Sequence, residues 1–368
     1  MKVLIAGGGT GGHVFPGLAL ADRLQKDHGA SVEFAGAPSG PEATLVPKAG
    51  FAFHPVEAAP LYREASRRAV RAPFVALRSV RACRPLLEGV DVVVGVGGYV
   101  SVPPGLAARR AHVPLVLHEQ NAVPSLANRL LARRAKAVGL TFEDARDRLP
   151  RKVSVTVTGN PVRATILEVT PRRAELAAEA RDLFGLAEER TTVVVFGGSQ
   201  GALHLDEIIA EALRLLATRV DLQLLVLTGP EHEHVMTGPA AADMSLRVHV
   251  LPFLDRMELA YAVADLAVTR AGATSIAEMT VCGVPMILVP YPYATENHQE
   301  ANARELERCG AAEVQLDDEL SPEGLARRIL GIVDDDRRRA GMAAASRAWG
   351  RPDADVRLAA LVAEAAGA

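Results

Sequence analysis

Val3-Leu4-Ile5-Ala6-Gly7-Gly8-Gly9-Thr10-Gly11-Gly12-His13 passes from an apolar strand through a glycine turn toward helix-forming sequence at residues 17–26. The turn satisfies G-x-G-x-x-G, in which residues lacking a Cβ let backbone N–H groups approach a bulky or anionic ligand at a helix start. Alone, the pattern discriminates weakly, and its ordinary reading is a dinucleotide fold. The same plan returns where Val193-Val194-Val195-Phe196 leads into Gly197-Gly198-Ser199-Gln200-Gly201. Each opening predicts its own Rossmann-like sheet.

Outward from these two points, short apolar runs lie at 31–35, 91–96, 114–118, 153–158, 223–228, 266–269 and 285–289. They are rich in Val, Leu and Ile without clean alternation, as parallel strands buried on both faces are. Helical stretches at 202–218 and 275–281 fall between them. The alternation predicts an α/β, doubly wound architecture. At roughly 150 residues per domain, 368 residues fit two sizeable domains. Residues 1–162 are expected to form the first and 163–342 the second, with Gly159-Asn160-Pro161-Val162-Arg163 as crossover or hinge. Residues 343–368, which hold the single tryptophan, Trp349, are expected to return to the first domain through an alanine-rich helix.

Composition sets limits. Hydrophobic residues at 49% and charged residues at 23% exclude a disordered or collagen-like chain. Cys83, Cys282 and Cys309, an odd number in a long chain, fit a reducing compartment. A net charge of −3 gives no global attraction to nucleic acid or lipid, so any such attraction is local. The first strand begins almost at Met1, which leaves no room for a signal peptide, and no apolar run approaches the ~20 residues of a membrane span. A cytoplasmic location is expected, with any membrane contact from one side.

Two more glycine turns follow strands, Val94-Gly95-Val96-Gly97-Gly98-Tyr99 and Arg270-Ala271-Gly272-Ala273-Thr274-Ser275. Ala273, Thr274 and Ser275 open a helix and suit a diphosphate, while Glu278 is placed to accept from two ribose hydroxyls. An NAD site calls for an acid at the end of the second strand, but Glu33 sits inside that strand. No G-x-x-x-x-G-K-[ST] occurs, and His232-Glu233-His234 reads as a solvated loop rather than a metal site. Asp353-Ala354-Asp355 and Asp334–Asp336 read as helix ends, not as holders of a metal diphosphate. The expectation is a diphosphate site without metal or other cofactor, built from helix starts and an arginine.

Taken together, Gly8-Gly9-Thr10-Gly11-Gly12-His13-Val14-Phe15-Pro16-Gly17, Gly97-Gly98-Tyr99-Val100-Ser101, His118-Glu119-Gln120-Asn121, the Gly159–Arg163 turn and Gly197-Gly198-Ser199-Gln200-Gly201 resemble the motifs of the MurG family of bacterial glycosyltransferases. The resemblance runs from Met1 into the C-terminal helix. It implies a GT-B fold and transfer of N-acetylglucosamine (GlcNAc) from UDP-GlcNAc to undecaprenyl-pyrophosphoryl-MurNAc-pentapeptide in peptidoglycan synthesis. It implies that Ala273, Thr274, Ser275 and Glu278 surround the UDP and that Leu254 lies against uracil. Ser199 and Arg163 would reach the diphosphate, and Gln299 the sugar hydroxyls. Thr10, Gly11, Gly12 and Asn121 would approach donor sugar and diphosphate from the first domain. The Thr295–Gln299 stretch departs from some relatives in length and letters.

The implied reaction inverts the donor sugar by direct displacement. The acceptor hydroxyl must lose a proton and the departing diphosphate must be stabilised. A neutral imidazole suits the first task, and a helix start disfavours its charged form, so His13 is the leading base and Glu119 the second. Competing readings are another GT-B sugar transferase, a UDP-sugar epimerase, or a non-catalytic nucleotide-sugar-binding protein.

A lipid-linked acceptor requires docking on the cytoplasmic face of the membrane. Residues 61–87 carry Arg63, Arg67, Arg68, Arg71, Arg78, Arg81 and Arg84 against Glu64. A helix from Pro73 would set Phe74, Leu77, Arg78 and Arg81 on one side, suited to an anionic bilayer at about 1 kcal/mol per basic residue.

Overall fold

The computed structural model describes residues 1–58, 77–198, 201–229, 231–236 and 245–368. They form two compact units, Met1–Arg163 with Arg351–Ala368, and Ala164–Gly350.

In the first unit β1 (Lys2–Ala6), β2 (Ser31–Gly36), β3 (Ala52–Pro55), β4 (Val92–Gly95), β5 (Leu115–Glu119), β6 (Ala137–Leu140) and β7 (Ser154–Val157) form one sheet. Its order is β3-β2-β1-β4-β5-β6-β7, with every pair parallel. Two apolar clusters cover its faces, one through Leu4, Val93 and Leu117, the other through Ile5, Val94 and Val116. Alternate residues of each strand thus face opposite cores, which is why the sequence shows unbroken apolar runs.

The second unit repeats the plan with β8 (Thr191–Phe196), β9 (Leu222–Leu227), β10 (Arg247–Leu251), β11 (Leu266–Thr269), β12 (Met286–Leu288) and β13 (Ala312–Val314). The order is β10-β9-β8-β11-β12-β13, again all parallel. In both sheets the direction of winding reverses between the first and fourth strands. Open sheets of this kind bind ligands in the crevice outside the strand ends at that reversal. The four glycine turns follow β1, β4, β8 and β11, the two strand pairs that flank the reversals.

The returning segment is shorter than residues 343–368. Helix Asp336–Trp349 is continuous and belongs to the second unit, where Ser346 Oγ donates to Val284 O at 2.9 Å. The chain rejoins the first unit at Arg351, and helix Ala354–Ala366 packs on helix Gly11–His28 and on β4 to β6. Arg23 Nε fixes that seat by donating to Asp355 Oδ2 at 2.9 Å, while Leu358 lies over Gly139 of β6, where a Cβ would come within 2.9 Å of it. The first helix starts at Gly11 rather than residue 17, so His13 stands in its first turn.

Candidate functional site

At the β1/β4 reversal the glycines serve close packing. A Cβ on Gly8, whose φ is 148°, would overlap the buried Glu42 carboxylate, and one on Gly98 would overlap Gly8 O. Glu42 holds the turn by accepting from Gly9 N at 3.0 and 3.2 Å and from Ala37 N at 2.8 Å. On this rigid turn Thr10 Oγ1 meets His13 Nδ1 at 3.0 Å, and the His13 ring lies against Gly97. A Cβ on Gly97 would stand 2.9 Å from His13 Nε2 and 3.3 Å from Gln120 Oε1, so both atoms face the open side of that glycine.

Behind His13 lies a buried polar network. His118 Nε2 donates to Gly159 O at 3.0 Å, and its Nδ1 accepts from Gln120 Nε2 at 3.2 Å. Gln120 Nε2 also donates to Val96 O at 2.7 Å. Complete burial, opposed by the Gly159 bond and aided by nearby His13, lowers the His118 pKa to about 4. His118 is therefore a neutral strut between β5 and the Gly159–Arg163 turn.

Glu119, the second candidate base, lies buried among backbone and amide donors. It is 1% exposed, and its two oxygens accept from Asn121 N (3.0 Å), Asn121 Nδ2 (3.5 Å), Ser125 N (2.9 Å) and Asn128 Nδ2 (2.8 Å). Burial raises its pKa and these four bonds pull it back. Four donors fill the lone-pair sites of a carboxylate, so none faces a substrate proton. The clamp places Asn121 at the β5 end.

At the β8/β11 reversal a helix again starts just after the glycine turn. Helix Ala273–Cys282 starts after Gly272 with no side-chain cap, and a Cβ on Gly272 would meet nothing within 4 Å. Such a start presents N–H groups and the positive end of the helix dipole. One turn on, Glu278 is 4% exposed and its Oε2 accepts from the buried Tyr261 hydroxyl at 2.9 Å. Tyr261 packs edge-on against Phe196 of β8 with centroids 6.1 Å apart. Leu254 is half-buried beside Phe253, which is 54% exposed. Gln299 sits in the first turn of helix His298–Arg308, with Oε1 accepting from Ala271 N (3.1 Å) and Tyr291 N (3.0 Å).

Just after β11, Arg270 is a buried guanidinium that donates to Val289 O and Pro290 O and pairs with Asp317. His232 is not solvated: its Nδ1 lies 3.3 Å from Asp206 Oδ2, whose pKa burial pushes up to about 6. Among the described residues no cluster suits a metal ion.

The expected residues thus fall at two strand-end sites. Thr10, Gly11, Gly12, His13 and Asn121 gather in the first unit. Leu254, Ala273, Thr274, Ser275, Glu278 and Gln299 belong to the second. Arg163 groups with the first unit rather than opening the second, its guanidinium 5.0 Å over the Phe15 ring of the first helix. Ser199 lies outside the described residues, as do residues 59–76 of the basic segment. Glu42, Asn128 and Tyr261 do not stand out in the sequence, and His118, Gln120 and Arg270 stand there only as members of motifs, with no task of their own. A tyrosine inside the apolar helix Met257–Val263 was the readable signal, since a buried hydroxyl needs a partner.

The glycosyltransferase family 28 N-terminal domain matches residues 3–140 and the glycosyltransferase family 28 C-terminal domain matches residues 192–358. A relative from Acidothermus cellulolyticus, named UDP-N-acetylglucosamine–N-acetylmuramyl-(pentapeptide) pyrophosphoryl-undecaprenol N-acetylglucosamine transferase, is 41% identical over 373 residues, covering 100% of this chain and 99% of its own. One of the same name from Halothermothrix orenii is 40% identical, covering 96% and 95%. The crystal structure of Acinetobacter baumannii MurG matches with a TM-score of 0.78 at 30% identity, covering 99% of each chain.

Proposed function

The chain belongs to the MurG family of glycosyltransferases, and we propose that it moves GlcNAc from UDP-GlcNAc to the 4-hydroxyl of undecaprenyl-pyrophosphoryl-MurNAc-pentapeptide. The observation that carries this reading is the start of helix Ala273–Cys282 on Gly272 at the β8/β11 reversal, with the buried carboxylate of Glu278 one turn beyond it. Its N–H groups suit a diphosphate, and Glu278, oriented by Tyr261, suits a ribose diol. Leu254 suits the uracil.

In this reading His13 is the general base. With Nδ1–H donating to Thr10 Oγ1, Nε2 carries the lone pair that takes the acceptor proton. The sugar's anomeric bond to the diphosphate breaks as the new bond to the acceptor oxygen forms. The charge released on UDP falls at the helix start. Asn121 and residues 10–12 line the approach of the sugar.

Membrane docking belongs to the same proposal. No helix of the described residues is long and apolar enough to cross a membrane. Residues 77–82 are helical and end at a groove of about 460 Å³ lined by Leu77, Val80, Leu106, Arg109, Arg110 and Arg134. Apolar surface edged by arginines suits peripheral binding to the anionic cytoplasmic leaflet. Arg109, Arg110 and Arg134 give that groove its basic edge.

The test is transfer of labelled GlcNAc from UDP-GlcNAc to a lipid-linked muramyl-pentapeptide. Acceptor-dependent label in the lipid fraction is expected. Conversion of UDP-GlcNAc without acceptor would instead identify an epimerase.

A further inference from the structure

Two amide side chains on one face of helix His298–Arg308 grip a single residue. Gln299 Oε1 accepts from Ala271 N at 3.1 Å, and Asn302 Nδ2 donates to Ala271 O at 3.1 Å. Three positions apart, they project from the same side of the helix. Ala271 is fully buried and immediately precedes Gly272, the cap residue of helix Ala273–Cys282. The same Gln299 oxygen also takes Tyr291 N at 3.0 Å, so one atom joins the turns after β11 and β12. Both Gln299 partners are N–H donors, which fixes the oxygen toward the backbone and leaves Nε2 facing away from it.

The backbone leading into this helix carries a second sign of constraint. Glu296 and Asn297 both occupy left-handed conformations, with φ of 55° and 54°. Consecutive non-glycine residues hold such angles when their surroundings over-determine them. His298 adds to the constraint, with Nδ1 at 2.8 Å from Thr295 O.

We infer that Gln299 and Asn302 form a clamp that positions the start of helix Ala273–Cys282, so that Gln299 supports the diphosphate site as well as facing the sugar. They are positioning residues. Gln299 acts on the anion through Ala271, and its only remaining group for a sugar oxygen is a donor. The inference rests on the proposal that this helix start receives the donor diphosphate.

UDP, which has no sugar beyond its ribose, separates the roles. In Gln299→Leu the buried Ala271 amide loses its acceptor, and UDP affinity is expected to fall about tenfold, while uridine affinity stays unchanged. Amide exchange at Ala271 and Tyr291 should quicken in Gln299→Leu and return to wild-type protection in Gln299→Glu, whose carboxylate accepts the same two bonds. UDP affinity within twofold of wild type in Gln299→Leu, with only UDP-GlcNAc weakened, would overturn the clamp and leave a sugar contact alone. Wild-type protein that fails to bind UDP would instead sink the proposed function.

Discussion

The two winding reversals share a topology and a glycine signature, yet differ in what their polar groups do. At β1/β4, Glu42, His118, Gln120 and Glu119 are buried and bonded to loop backbone, holding His13 on a rigid turn. At β8/β11, Gln299 and Asn302 hold the backbone at Ala271, while the buried Glu278 carboxylate is bonded to another side chain, the Tyr261 hydroxyl. In the proposed reading the first arrangement holds a proton acceptor and the second receives an anion. A shared glycine pattern therefore marks the place of a site, and the fate of its polar groups decides the task.

The largest expected effect comes from the half-buried His13 of the first site. His13→Ala should lower kcat by about 10²–10⁴-fold with UDP affinity unchanged. A matching loss of UDP binding would erase the division between the two sites. Glu119→Ala should act on folding instead, leaving buried donors without partners and lowering unfolding free energy by roughly 3–5 kcal/mol in denaturant titrations. A stable, inactive Glu119→Ala would restore Glu119 as a base.

How much of this was legible in the sequence follows from the same physics. Strands buried on both faces announced themselves, as did the glycine turns beside them. β3, β10 and β13 lie at sheet edges and are short or half-buried, so their apolar signal is thin. β6 is central, but its Ala-Val-Gly-Leu segment is thinned because Leu358 of the returning helix fills the space over Gly139. The bonds of Glu119 to Ser125 and Asn128 are set by a turn that spacing does not reveal.

A smaller effect tests the buried network by pH. The His118 pKa is depressed from an ordinary 6.5 to about 4, so its contribution is present above pH 6.5 and is lost as pH falls through about 4. The change amounts to roughly 3 kcal/mol, and His118→Gln should flatten that acid limb of stability. An unchanged limb would assign it to other groups. Smallest is Tyr261→Phe, expected to weaken UDP by about fivefold through a less well-held Glu278, with 2′-deoxy-UDP less affected. Equal losses for both nucleotides would mean that Tyr261 serves packing alone.

If the second unit holds the nucleotide while the first supplies the base, amide exchange on the whole chain with saturating UDP will separate them. Protection is expected to rise at residues 271–278 and around Leu254, with residues 8–13 unchanged. Protection concentrated at residues 8–13 would place the nucleotide on the wrong reversal and contradict the account.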